Sequence, residues 1–141
     1  MNLPTKRERP EADTTERFAR VLEENRRGSA VGICSICSAN RFVLEAGILQ
    51  AQRDDNLVLI ESTSNQVNQF GGYAGQTPAQ FASFVREIAA AMNFPAERIV
   101  LAGDHLGPHP WRPEGPSSAM AKATALARAC VLAGYTTRLA G

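Results

Sequence analysis

Between Leu57 and Trp111 two apolar runs each break into a burst of acids, amides, histidines and glycines. The first reads VLIESTSNQVNQFGGYAGQTP; the second, beyond a helical stretch, reads RIVLAGDHLGPHPW. Short apolar runs bounded by turn residues are the pattern of strands buried on both faces. Strands that alternate with helical segments need crossovers, and crossovers make the sheet parallel. In a parallel α/β protein, ligands are held beyond the carboxyl ends of the strands. The pattern therefore restricts the chain to an α/β fold and puts candidate chemistry in consecutive strand-end loops.

The same alternation extends in both directions. Met1 to Asp13 is charged, proline-containing and short of residues to bury, which predicts a disordered tail over residues 1–13. A helix is expected from Asp13, with capping-box spacing to Glu16, apolar Phe18, Val21 and Leu22, and Gly28 as its stop. Ala30–Ala39 reads as a first strand buried on both faces, and Asn40–Gln52 as a helix with Phe42, Val43, Ala46, Ile48 and Leu49 available for burial. Leu57–Ser62 is the second strand, followed by a glycine-rich loop from Thr63 to Gln76. Thr77, Pro78 and Gln80 give the clearest helix start in the chain, at N-cap, N1 and N3. Phe81, Phe84, Val85, Ile88 and Met92 continue it at helical spacing, and Pro95 ends it. Arg98–Gly103 is the third strand, Asp104–Gly115 its loop, and Ser118–Ala133 an alanine-rich helix stopped by Gly134. Tyr135–Leu139 reads as the start of a fourth strand.

Composition excludes several classes of function. Fifteen basic residues against fourteen acidic ones leave a net charge of +1, too nearly balanced to point to a nucleic-acid partner. No apolar run approaches the ~20 residues of a membrane span, and the N-terminus has no apolar core of a secretory signal. A cytoplasmic protein is expected, with no membrane partner. Three cysteines, an odd count, suit reduced thiols. Cys34 and Cys37 have C-x-x-C spacing, but on a strand, residues three apart face opposite ways. They are read as small buried side chains, with Cys37 near the strand end.

Two loops carry candidate chemistry. After the second strand come Glu61, Asn65, Gln66, Asn68 and Gln69, then Gly71 and Gly72. Amides both donate and accept, which suits a polyhydroxylated ligand, and glycines let backbone approach it. No Gly-Lys-Ser/Thr follows, so this is not a phosphate-binding P-loop. These residues are candidates for ligand or partner contact. After the third strand comes Asp104-His105, with His109 nearby. Histidine is the commonest transition-metal ligand. An aspartate on the opposite side of the backbone can act as acid or base on a bound ligand. One histidine cannot hold a metal alone, so further ligands are required, and His109 is one candidate.

The runs GICSICSA, LIESTSNQVNQFGGYAGQTPAQF and RIVLAGDHLGPHPW closely resemble the non-catalytic subunit family of class II D-tagatose-bisphosphate aldolase, the GatZ/KbaZ-like proteins. The likeness runs from about Gly32 to Tyr135. It implies the N-terminal part of a TIM (β/α)8 barrel over residues 14–141, with about three βα units and the start of a fourth strand. It implies a stabilising or activating subunit in galactitol or N-acetylgalactosamine catabolism, partnered by a catalytic class II aldolase subunit, with a sugar phosphate as candidate ligand. The alternative is a metal-dependent lyase acting on a ketose bisphosphate. By likeness to class II aldolases, His105 would bind zinc in the complete family member and Asp104 would serve proton transfer. A tagatose-6-phosphate kinase label attached to the family finds no ATP-phosphate loop in this chain. Asn40-Arg41 stand where the family has His-Pro, and Thr137–Gly141 depart from the family's fourth strand, which ends in a histidine and an acid. A closed barrel needs eight strands and about 250 residues. The chain is therefore expected to be a truncated family member, inactive alone and impaired in sugar-phosphate binding.

Overall fold

The computed structural model describes residues 14–135. The tail expected over residues 1–13, the Asp13 end of the first capping box and the expected fourth strand beyond Tyr135 lie outside the described residues.

Within them the order is α1 (Thr14–Arg26), β1 (Ser35–Cys37), α2 (Arg41–Arg53), β2 (Val58–Thr63), α3 (Pro78–Ala91), β3 (Ile99–Asp104) and α4 (Pro116–Leu132), with short 3-10 turns at Ala96–Arg98 and His109–Glu114. The three strands form one parallel sheet in the order β1-β2-β3. This is the mixed α/β architecture the alternating pattern predicts. Ile36, Ile60 and Leu101 lie in register, as do Cys37, Glu61 and Ala102. Thr63 pairs with Asp104. Because side chains alternate, these registers sort the sheet into two faces.

One face carries the main core. Val58, Ile60 and Leu101 pack against Leu44, Ile48 and Ala51 of α2, Phe81, Val85 and Ile88 of α3, and Ala119, Ala123, Leu126 and Cys130 of α4. All three later helices thus cover the same side. Phe81, Ile60 and Leu44 are fully enclosed, and each such side chain stabilises the fold by roughly 1.5–3 kcal/mol relative to exposure. The alanine face of α4 replaces bulk with close approach. The opposite sheet face has a thinner cover: Leu57, Leu59, Val100 and Ala102 meet Phe18 of α1 and Ile33.

Local signals match their elements best at α3. Thr77 accepts from the Gln80 amide, the Gln80 side chain returns to the Thr77 amide, and Pro78 opens the helix. Asn40 caps α2, its side-chain oxygen accepting from the Phe42 and Val43 amides. Gly28 takes φ +92° just beyond α1, as its place as a stop requires.

Three expectations are corrected. The first strand spans only Ser35–Cys37, not Ala30–Ala39, and its burial is partial. Among the described residues it pairs along one edge, with β2, and neither a second strand nor a full helix layer encloses it. Cys34 and Cys37 are accordingly exposed rather than buried. On α2, Phe42, Val43, Ala46 and Leu49 are exposed, and the buried stripe is Leu44, Ile48 and Ala51. That stripe, spaced four and three, is the one aimed at the sheet; Phe42 and Leu49 lie on a flank that no described element covers.

Candidate functional site

The parallel strands bring their carboxyl ends to one rim. Cys37, Glu61 and Asp104 lie on the thinly covered face, at the last or near-last residues of β1, β2 and β3. The Ser35 hydroxyl is hydrogen-bonded to the Glu61 carboxylate. The Cys37 thiol is pushed up from its ordinary pKa by burial, then by the nearby negative charges of Asp104 and Glu61. Three acidic or potentially acidic groups from three strands therefore share one electrostatic neighbourhood.

The loop after β2 is internally braced. Gln66 is buried, its Oε1 accepting from the Thr63 amide at 2.8 Å and from Cys37 Sγ at 3.6 Å, while its Nε2 donates to the Cys37 carbonyl at 3.4 Å. One amide thus ties the ends of β1 and β2 together. Asn68, also buried, donates to the Ser64 carbonyl at 2.8 Å and accepts from the Phe70 and Gly72 amides at 2.9 and 3.2 Å. Both side chains are engaged in shaping the loop. Gly72 has φ +58°, and a Cβ there would overlap the Gln66 and Asn65 carbonyls; Gly71 has φ +103°. Asn65 is exposed, and its carbonyl receives the Tyr73 amide at 2.9 Å. Gln69 Nε2 donates to the Lys122 carbonyl at 3.0 Å, and its Oε1 is buried without a partner among the described residues. The result is a stiff loop with Phe70 and Tyr73 projecting into solvent.

At the end of β3 the chain turns sharply. His105 adopts φ +49°, a left-handed conformation that costs a non-glycine residue free energy. Ser64 holds it, donating to the His105 carbonyl at 2.9 Å across from the neighbouring loop. The turn changes the expected geometry. Asp104 and His105 are not on opposite sides of the backbone: His105 Nδ1 lies 2.6 Å from Asp104 Oδ1. The carboxylate orients the imidazole and leaves Nε2 free on an exposed ring. This resembles the outer-sphere pairing common to histidine metal ligands. A zinc site needs at least three protein ligands, and no group of three suitable side chains is assembled among the described residues. The donors among the described residues do not amount to a zinc site.

His109 lies on the 3-10 turn that follows, and with His105 it lines a cleft of about 530 Å³ whose other walls are Gly107, Pro108, Arg112, Pro116, Ala119 and Met120. Trp111 is buried under this turn and meets Phe70 edge-on, with ring centroids 6.2 Å apart. The structure thus brings Glu61, Gln66 and Asp104 to the rim beside Cys37, keeps Asn65, Asn68, Gln69, Gly71 and Gly72 in the loop after β2, and sets His105 with His109 along the cleft. Sequence reading missed Arg112 and Ser35. A cation flanked by prolines in a strand-end loop was the available signal for Arg112; Ser35 carried none.

The sequence profile of the D-tagatose-1,6-bisphosphate aldolase subunit GatZ/KbaZ-like family matches residues 18–138. The chain belongs to that family. Among GatZ/KbaZ-like relatives, the D-tagatose-1,6-bisphosphate aldolase subunit GatZ of Klebsiella pneumoniae is 50% identical over 116 residues, which cover 82% of this chain and 27% of the relative. The GatZ subunit of Salmonella typhimurium is 49% identical over the same shares. A crystal structure described as a probable tagatose 6 phosphate kinase from Sinorhizobium meliloti is 54% identical, with a TM-score of 0.72 over 74% of this chain and 27% of that one. The chain thus spans about 27% of the length of the relatives it matches.

Proposed function

We propose that this chain contributes the first βα units of a (β/α)8-barrel subunit that stabilises or activates a catalytic class II D-tagatose-1,6-bisphosphate aldolase in the cytoplasm. The observation that carries the proposal is family membership at about half identity, joined to a rim where three consecutive strands end in polar residues. Helices α2, α3 and α4 all lie on one side of a sequentially ordered parallel sheet, which suits the outer ring of a barrel. The other face, bearing Leu59, Val100 and Ala102 below Glu61 and Asp104, would then be the interior. No described helix is long and apolar enough to cross a membrane. The glycine-rich loop with exposed Phe70 and Tyr73 is the candidate partner or ligand surface, because it is rigid and presents aromatic side chains.

The test is co-purification. A full-length GatZ/KbaZ-like protein containing this sequence, tagged and co-expressed with a catalytic tagatose-bisphosphate aldolase subunit, should retain that subunit in stoichiometric amount. Free passage of the catalytic subunit through the column contradicts the reading. The Asp104–His105 contact favours one second reading, a metal-dependent lyase on a ketose bisphosphate. Zinc content of the full-length protein, measured with and without His105→Ala, decides it: unchanged zinc removes His105 from any metal role. A kinase reading receives no support from the Phe70–Gly75 loop, since no Lys-Ser/Thr follows its glycines.

A further inference from the structure

We infer that Phe70 is the anchor by which the catalytic aldolase subunit grips the loop after β2, seated in an apolar pocket of that subunit, and that Lys122 and Trp111 are positioning residues that hold its ring for that contact. The inference rests on the aldolase-subunit reading and adds to it the chemistry of the contact. Its ground is a contrast among exposed aromatic side chains. Phe42, Phe70 and Tyr73 are 77%, 66% and 74% exposed. Among the described residues, only Phe70 of the three has its ring in an aromatic or cation contact.

The hold comes from several directions. The Phe70 amide donates to Asn68 Oδ1 at 2.9 Å, which fixes the backbone. Buried Trp111 meets the ring edge-on at 6.2 Å, and Lys122 Nζ lies 5.2 Å from its centroid, where a cation is attracted to an aromatic face. Lys122 is itself fixed: its Nζ donates to Glu114 Oε1 at 2.6 Å, and its carbonyl accepts from Gln69 Nε2 at 3.0 Å. Two consecutive loop residues, Gln69 and Phe70, are thus tied to one residue of α4. An exposed side chain ordinarily loses rotamer freedom when a partner binds. For Phe70 much of that loss is taken on folding, so the ring meets its partner preorganised, and large aromatic side chains are the usual anchors of interfaces. Charge bears on the partner's chemistry. Lys122 and Glu114 neutralise each other beside the ring. An acidic partner would have to draw Lys122 away from both Glu114 and Phe70, whereas an apolar pocket leaves the hold intact.

The test is the Kd between the full-length protein bearing this sequence and a catalytic tagatose-bisphosphate aldolase subunit, measured by isothermal calorimetry. Phe70→Ala should weaken binding by about thirtyfold or more, and Tyr73→Ala by less. Lys122→Met keeps the stem and removes the cation; it should weaken binding by about three- to tenfold, and Lys122→Arg should restore most of the loss. In the Phe70→Ala protein, Lys122→Met should change nothing further, a result that a general structural role does not give. A tenfold rise in salt should change Kd by less than about threefold. No binding by the unaltered protein removes the aldolase-subunit reading and this inference with it. Binding undiminished by Phe70→Ala overturns the anchor alone. A Lys122→Met loss of the same size without the Phe70 ring overturns the positioning role, and a steep loss of affinity with salt overturns the apolar pocket.

Discussion

The three cysteines show how one residue type takes three chemical characters from its surroundings. Cys34 is exposed; Cys37 is exposed as a residue, but burial and the charges of Asp104 and Glu61 raise its thiol pKa; Cys130 is enclosed on the buried face of α4, and burial raises its pKa from 9.0 to about 11. Only the thiolate reacts with an alkylating agent. Iodoacetamide at pH 8 should therefore modify Cys34 first, Cys37 more slowly, and Cys130 at least about tenfold more slowly than Cys34 in the folded chain. Mass mapping of the modified peptides checks the order. The same shift gives a pH dependence. Folding favours the neutral thiol of Cys130, so its folded pKa exceeds its unfolded one. The stability it brings is complete below about pH 9 and is lost as pH rises towards 11. Tyr135 acts in the same direction from a higher start, its hydroxyl buried against Ser62 Oγ at 2.9 Å. The urea midpoint should fall between pH 9 and 11, and less steeply in Cys130→Ala. A midpoint that is flat over that range contradicts the burial of both groups.

Among the elements, the loop after β2 is where conformation is most constrained. Gly72 and Gly75 both have positive φ, at +58° and +70°, but only Gly72 sits against neighbouring carbonyls; Gly75 faces open space. Alanine at Gly75 should cost about 1 kcal/mol, from backbone conformation alone, whereas alanine at Gly72 should cost about 2–3 kcal/mol and displace the Gln66 brace. Urea denaturation of the two variants measures the difference. Equal losses would mean that the packing around Gly72 contributes nothing.

The pair also marks what the sequence made legible. The glycines, the Thr77–Gln80 box and the apolar runs of β2 and β3 state their roles locally, through φ, capping and periodicity. Their elements formed within a residue or two of the expected bounds. The length of β1 was not legible, because its pairing on a single edge is a tertiary fact. The contact between Asp104 and His105 depends on one left-handed residue held by Ser64, a partner 41 positions away. Arg112 acquired significance only when α4 and the 3-10 turn closed a cleft around it.

At the scale of the whole molecule, one core joins α2, α3 and α4 to a single face of a three-stranded sheet. The opposite face carries the polar strand ends and, among the described residues, has Phe18 and Ile33 packed against its apolar part. That asymmetry suits the proposed role. A barrel would close over the second face and collect Glu61, Gln66 and Asp104 at its mouth, beside the stiff loop that carries Phe70 and Tyr73. The shared family and the rim geometry together make support of a catalytic aldolase the central claim. It is tested most directly by the half-life of tagatose-bisphosphate aldolase activity in a purified catalytic subunit, incubated alone and with the full-length protein bearing this sequence. The account predicts a several-fold longer half-life with the full-length protein present, and a smaller gain when Gly72→Ala distorts the loop. An unchanged half-life at saturating concentrations of the two proteins would contradict it.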